Sequence, residues 1–126
     1  MGTSHFTRAI EITDRLMDEP SLTEDSVIDV VAGMANLRAE DLTGRARPER
    51  IFPYRFVAQL LLRERFDLSY EEIGIKFDRD RTSVMNGIEQ LTDQIALVHK
   101  ERVEMTKISH VRSVKDLPQN NLVKFK

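Results

Sequence analysis

The segment 69–91 constrains the fold more than any other part of the chain. It opens with Ser-Tyr-Glu-Glu, a capping-box pattern in which Ser69 accepts from the amide of Glu72 while the Glu72 side chain reaches back. The helix that follows is short, because its apolar spacing stops at Asp78. Asp80 is a favourable N-cap for a second helix. Two helices separated by a break of about three residues predict a helix-turn-helix.

Two residues of this segment suit the close geometry of such a motif. Gly74 lies where the two helices are expected to cross, and a larger side chain there would push them apart. The tight turn usually needs one residue with a positive φ angle. Asp tolerates that conformation better than most residues, so we expect Asp78 to adopt it.

The rest of the chain has the same helical character. Apolar residues recur three and four positions apart, which is typical of amphipathic helices. This spacing predicts helices at 6–18, 23–35, 39–42 and 53–66. The fold class that we predict is therefore all-α, with an extra helix before the motif and an extended helix after it.

The last predicted helix carries an apolar stripe over residues 88–105. Its members alternate at spacings of three and four, which is the a/d pattern of a coiled coil over about two and a half heptads. The stripe favours two alternatives, packing against the domain itself or homodimer formation through this helix. Residues 113–126, with Pro118 and an Asn-Asn pair, are expected to form a loose tail.

Charge is distributed unevenly along the chain. Residues 1–44 hold three basic and nine acidic side chains, whereas residues 45–126 hold 16 basic and 12 acidic ones. Within the second part, residues 45–65 contain six arginines, no lysine and only two glutamates. Arginine forks suit phosphates and guanine edges, but the charge pattern alone favours an ordinary solvated surface with ion pairs.

The sequence argues against disulfides, metal sites and membrane spans. The chain has no cysteine, which excludes disulfides and thiolate metal sites and suits a reducing cytoplasm. The three histidines are scattered, with no second ligand at metal-binding spacing. No apolar run approaches the length of a membrane span. We therefore predict no enzyme, no metal and no cofactor.

The stretch from about Val27 to Leu91 resembles the C-terminal DNA-binding domain of the bacterial replication initiator DnaA. Three quoted stretches carry the resemblance in the right order: "VVAGMANLRAEDLTGRAR", "RFVAQLLLRERFDLSYEEIGIKF" and "DRDRTSVMNGI". The last is similar to the family signature Gly-Gly-Arg-Asp-His-Thr-Thr-Val. The resemblance implies an all-α, Trp-repressor-like domain whose signature helix enters the major groove, while a basic loop reaches the minor groove and backbone.

The resemblance and the helix-start chemistry together predict the residues that contact double-stranded DNA. Helix N-termini attract phosphates, and an arginine at the first helical position can reach guanine O6 and N7. The predicted set is Arg45, Arg47, Arg50, Arg55, Ser69, Arg79, Asp80, Arg81, Thr82, Ser83 and Asn86.

The chain also departs from the family pattern. One signature glycine is missing, so the turn before Arg79 is shorter, and Arg81 replaces the usual histidine. Glu49 stands in the basic loop where a positive residue is common, and Phe56 replaces a common polar residue. These departures bear on which DNA sequence is recognised. No Gly-x-x-x-x-Gly-Lys-Ser/Thr motif occurs, so ATP binding is not expected.

These features lead to one main hypothesis, a nucleoid-associated DNA-binding protein that regulates transcription or replication initiation. The alternative is a helical adaptor that binds another protein through its acidic N-terminal part or the 88–105 face. We expect an N-terminal extension at 1–22, the DNA-binding domain at 23–98, and a helix extension with a tail at 99–126. The additional first helix favours an independent protein over an excised piece of an initiator.

Overall fold

The computed structural model describes the backbone of residues 4–44 and 50–113, and the side chains of residues 6–44 and 50–101. A 3₁₀ turn at Glu24–Ser26 precedes the second of the helices. The helices are α1 Ser4–Met17, α2 Val27–Met34, α3 Ala39–Thr43, α4 Phe52–Phe66, α5 Tyr70–Phe77 and α6 Arg81–Ser113. The described ranges contain no strand, and the predicted all-α class is confirmed.

The predicted helix positions agree with these bounds. Helices α1 to α4 begin and end within two residues of the predicted ranges once the 3₁₀ turn is counted with α2. The helix after the break continues to Ser113, and the predicted tail beyond it lies outside the described residues. Contacts divide the chain into two units, Met1–Gln94 and Ile95–Lys126. The predicted domain boundaries after residues 22 and 98 stay predictions.

Helix α4 forms the centre of the first unit. It contacts α1, α2, α3 and α5. Val57, Ala58, Leu61 and Leu62 of α4 are completely buried. Because one helix is surrounded by several others, its sequence is apolar on more than one face. None of the helices in the described ranges is long and apolar enough to cross a membrane.

The sequence predicts one buried stripe on α1, formed by Phe6, Ala9, Ile10, Thr13, Leu16 and Met17. Helix α1 packs on α4, and Ile10, Thr13 and Leu16 of this stripe are at most 4% exposed. Thr13 is accommodated there because its hydroxyl donates to the carbonyl of Ala9 at 2.9 Å. The sequence pattern missed Ile12, which is completely buried. This helix is thus covered over a wider arc than a single stripe.

Arginines bind the carbonyl groups at which several helices end. Arg65 donates from Nη1 to the carbonyls of Leu16 at 2.9 Å and Glu19 at 2.7 Å, just where α1 stops. Arg8 donates to the carbonyl of Met34, the last residue of α2. The last carbonyls of a helix lack intrahelical partners and carry partial negative charge, so a guanidinium stabilises them.

Candidate nucleic-acid interface

Helices α5 and α6 form the predicted helix-turn-helix. The capping box at the start of α5 is confirmed, since Ser69 Oγ accepts from the Glu72 amide at 3.0 Å and the Ser69 amide donates to Glu72 Oε1 at 2.8 Å. Asp78 ends α5 with φ 53° and ψ 48°, the predicted left-handed conformation. A Cβ atom at Gly74 would lie 2.4 Å from the carbonyl oxygen of Arg79, so the predicted need for glycine is also confirmed.

Asp80 holds the start of α6. Its Oδ1 accepts from the backbone amide of Ser83 at 2.8 Å, as an N-cap does. The hydrogen bonds from the amide and hydroxyl of Ser83 hold the pKa of the Asp80 carboxyl below its usual value. Asp80 is therefore negatively charged at neutral pH, and it fixes the geometry of the first turn of α6.

The first two turns of α6 present polar side chains to solvent. Arg81, Thr82, Ser83 and Asn86 are all exposed. The core-facing side of the same turns consists of residues that are at most 6% exposed, namely Val84 and Ile88. Because the buried side holds the helix against the domain, these four polar side chains stay on the solvent side of its first two turns.

Arg81 has an acidic neighbour that the sequence did not reveal. Its Nη1 lies 3.6 Å from Glu71 Oε2 in the first turn of α5, and both side chains remain more than half exposed. The nine residues between them carry no periodic pattern that links them. Only the crossing of α5 and α6 brings the carboxylate beside the guanidinium.

Two clefts open beside the start of α6. The larger, of about 960 Å³, is bordered by Glu71, Ile75, Arg79 and Arg81. Ile75 is 81% exposed, which is unusual for an isoleucine in a small domain. This cleft and the first turn of α6 form one continuous polar surface with an apolar rim.

The smaller cleft, of about 420 Å³, lies between α4 and α6 and includes Phe56, Asn86 and Gln90. Its floor depends on Gly87, since a Cβ atom there would lie 2.5 Å from the Phe56 ring. The sequence analysis singled out Asn86 but missed Gln90. Gln90 could have been included in the sequence analysis because it lies one helical turn after Asn86.

The predicted arginines and Ser69 occupy three different environments. Arg50 is exposed. Arg79 and Ser69 are half-buried, whereas Arg55 is only 3% exposed. The remaining two predicted loop residues, Arg45 and Arg47, lie outside the described residues. Contact with DNA stays a prediction for all of these positions.

The comparisons with known proteins agree with this geometry. The family model described as "Bacterial dnaA protein helix-turn-helix" matches residues 24–91, more than half of the chain. The match begins at the 3₁₀ turn before α2 and ends within α6. It therefore includes α2 to α5 and the turn on which the interface rests. No solved structure matches the chain.

Curated relatives match over the same region. The chain is 34% identical over 88 residues to a chromosomal replication initiator protein DnaA of Roseiflexus castenholzii, covering 69% of this chain and 18% of that protein. It is 30% identical over 91 residues to the initiator protein DnaA 2 of Protochlamydia amoebophila, covering 72% of this chain and 20% of that protein. The identity reaches 42% over 60 residues with the initiator of Corynebacterium jeikeium, covering 47% of this chain and 10% of that protein.

The chain thus spans about a fifth of the length of the first two of these relatives. Within that span lie the capped turn, the glycine at the crossing and the polar start of α6. On the match of its helix-turn-helix and the helices around it, the chain belongs to the bacterial DnaA protein helix-turn-helix family, which is a family of DNA-binding domains.

Proposed function

We propose that this protein binds double-stranded DNA sequence-specifically, with the start of α6 in the major groove. The supporting observation is the exposed polar set Arg81, Thr82, Ser83 and Asn86 on two turns of a helix whose N-terminus is held by Asp80. A helix of this diameter fits the major groove, where each base pair presents a distinct pattern of donors and acceptors.

Each side chain of this set has a role suited to its chemistry. Arg81 donates to O6 and N7 of a guanine, a pairing worth about 1–3 kcal/mol of discrimination. Thr82 donates to phosphate, and its methyl group meets a thymine methyl. Ser83 donates to phosphate after its hydroxyl turns away from Asp80, to which it donates in the free protein. Asn86 reads adenine or meets the backbone. Phosphate contacts set the register, whereas base contacts set the sequence preference.

Arg45, Arg47 and Arg50 supply the basic loop in this proposal. They follow α3 and precede α4, so they approach the DNA beside α6 and contact the minor groove and phosphates. The names of the relatives, chromosomal replication initiator proteins, support a role in replication initiation. Regulation of transcription at bound sites is the second role that such binding allows.

Selection of bound duplexes from a random pool tests the proposal. We expect the protein to enrich one motif, and we expect Arg81→Ala to relax the preference at a single base pair of that motif. Enrichment of no motif by the folded protein would contradict sequence-specific binding.

The adaptor function and a homodimer through the C-terminal helix have one specific observation in their favour. Ile95 and Val98 of the stripe are only half-buried, although Ile88 and Leu91 of the same stripe are buried. The apolar stripe is thus not fully covered over its described length. Sedimentation with and without a duplex distinguishes a dimer, and an adaptor that binds no preferred duplex would leave the selected pool random.

A further inference from the structure

Two arginines from separate elements meet at one backbone carbonyl. Arg79 lies in the turn between α5 and α6, and its Nη2 donates to the carbonyl of Gly44 at 2.8 Å. Arg55 lies in the first turns of α4, and its Nη2 lies 3.5 Å from the same oxygen. Gly44 immediately follows α3. One oxygen therefore connects the end of α3, the start of α4 and the turn of the helix-turn-helix.

Arg55 binds backbone carbonyls at the end of α3. Its Nε donates to the carbonyl of Leu42 at 2.7 Å, and its Nη2 also donates to that of Asp41 at 3.2 Å. The guanidinium carbon lies 5.6 Å from the centre of the Phe52 ring. With 3% of its surface exposed, Arg55 could reach a phosphate only by giving up its hydrogen bonds to the carbonyls of Leu42 and Asp41.

Arg79 bridges two helix ends in the same way. Its Nη1 donates to the carbonyl of Phe77 at 2.6 Å, at the last residue of α5. Its own backbone amide donates to the carbonyl of Gly74 at 2.9 Å. The side chain therefore starts from a fixed backbone and ends on two fixed oxygens, so its orientation is strongly defined.

Gly44 fits tightly at the other end of this contact. Its amide donates to the carbonyl of Glu40 at 2.8 Å, and a Cβ atom at Gly44 would lie 2.7 Å from that same oxygen. Gly44 is the last described residue before the predicted basic loop, so these contacts fix the point from which that loop starts.

We propose that Arg55 and Arg79 are positioning residues, which fix the start of the basic loop against the turn that precedes α6. They set the spacing between the loop arginines and the base-reading side chains and do not themselves neutralise phosphate. This inference rests on the proposed DNA binding. Arg55 and Arg79 were both predicted to contact DNA, and the inference gives them a positioning role instead. That role depends on the fork shape of the guanidinium as well as on its charge.

Charge-conserving substitution separates the two roles. Arg79→Lys keeps the positive charge, but a single ammonium cannot hold the carbonyls of Phe77 and Gly44 as the fork does. We expect Arg79→Lys and Arg79→Gln to weaken binding to the selected duplex equally, by roughly ten-fold. If Arg79→Lys keeps wild-type affinity while Arg79→Gln loses it, charge alone matters and the positioning role is wrong.

Arg63→Lys is the matched control. Arg63 also donates to a backbone carbonyl, that of Leu68 at 3.0 Å, and its guanidinium lies 4.4 Å from the Tyr70 ring centre. The substitution Arg63→Lys removes the same kind of hydrogen bond, from a guanidinium to a backbone carbonyl, at a place that does not contact Gly44. We expect Arg63→Lys to lower thermal stability and leave DNA affinity unchanged. An equal loss of affinity in this control would show a general effect of destabilisation and would overturn the inference.

The background without loop arginines gives a second, independent measurement. In Arg45→Ala/Arg47→Ala/Arg50→Ala protein, no arginine of the proposed basic loop remains for Arg79 to position, so adding Arg79→Gln should change affinity by less than about two-fold. The slope of log affinity against log salt should also stay unchanged. A direct phosphate contact would lower that slope by about 0.9 in either background, and this result would overturn the inference.

Hydrogen exchange of the free protein keeps this test distinct from that of the proposed function. We expect Arg79→Lys to speed amide exchange at Gly44 and leave α1 unchanged, because the weakened side-chain contacts lie at Gly44 and Phe77 and not at α1. If the wild-type protein binds no duplex, the proposed function fails, and this measurement still reports on the contact. Unchanged exchange at Gly44 would overturn the inference by itself.

Discussion

Individual arginines in this chain have different tasks, although their chemistry is the same. Arg81 extends from the first turn of α6 with its side chain 59% exposed. Arg55 and Arg65 bind backbone carbonyls at the ends of α3 and α1. A buried carbonyl without a donor costs more than a surface ion pair contributes. The arginines within reach of such carbonyls are therefore used for structure, and those beyond reach stay available.

Glu71 leads to a prediction at this scale. Glu71→Gln removes a negative charge beside Arg81 and should strengthen binding to random duplex, because phosphates are repelled less. It should also weaken the preference at the base pair that Arg81 reads, by no more than about five-fold, since an exposed ion pair contributes at most about 1 kcal/mol. Quantitative binding to matched and mismatched duplexes measures both effects.

The Arg81→Ala background provides the control for this prediction. Glu71→Gln should leave the discrimination between duplexes unchanged there, because its effect is exerted through the Arg81 guanidinium. A loss of discrimination that persists without Arg81 would mean that Glu71 contacts the DNA itself.

At the scale of elements, the helix-turn-helix depends on three small features. Gly74 allows the backbone of the turn to approach α5, Asp78 adopts the left-handed conformation, and Asp80 caps α6. Each acts over a few residues, and together they fix the backbone between α5 and the first turn of α6. The exposed side chains of that first turn take their direction from this backbone.

Gly74→Ala should damage this element more than an ordinary helix substitution. The new Cβ atom would meet the carbonyl oxygen of Arg79, which is backbone and cannot rotate away. We expect a loss of about 1–3 kcal/mol in the free energy of unfolding, measured by urea denaturation. Gly33→Ala is the control, because nothing lies within 4 Å of a Cβ atom there. It should stabilise α2 slightly, since alanine favours helix. Equal losses in the two variants would contradict the close approach at Gly74.

The stabilisation that the Asp80 cap gives to α6 should depend on pH. The pKa of Asp80 is lowered in the folded protein, so its contribution to stability is fully present above the unfolded value, about 3.8. That contribution is lost as pH falls through the lower folded pKa. Asp80→Asn keeps a capping oxygen without titrating, so the stability difference between it and the wild type should shrink on acidification. Denaturation midpoints at pH 7 and pH 3 measure this change, and a constant difference would exclude the titration.

At the scale of the whole molecule, the acidic and the basic excess of charge lie in different parts of the sequence. The first 44 residues have an acidic excess, nine acidic against three basic side chains, and their exposed carboxylates include Glu11 and Asp14. The basic excess follows Gly44. A protein of net charge −2 can bind DNA in this way, because only the local charge within about 10 Å of the duplex counts at moderate salt.

Salt dependence tests this separation. Arg47→Ala should weaken binding to all duplexes and lower the slope of log affinity against log salt by about one, because one phosphate contact is lost. Arg15→Ala removes the same charge from the exposed surface of α1 and should leave the slope unchanged. Equal slopes for the wild type and Arg47→Ala would show that the loop does not contact phosphate.

Local chemistry alone determined the helices, the capping box, the turn conformation of Asp78 and the need for Gly74. Each of these depends on atoms within about five residues along the chain, so the sequence displays it directly. The exposed start of α6 was predictable for the same reason, because the buried positions of a helix follow from its apolar period.

Only the tertiary structure decided which arginines face solvent and which carboxylate accompanies Arg81. Arg65 binds carbonyls 46 and 49 residues away, and Arg79 binds one 35 residues away. A long flexible side chain can reach any carbonyl that packing brings near, and no periodicity in the sequence marks that partner. The helices could therefore be predicted from the sequence. Whether an arginine binds a backbone carbonyl or faces solvent depends on where the helix ends meet.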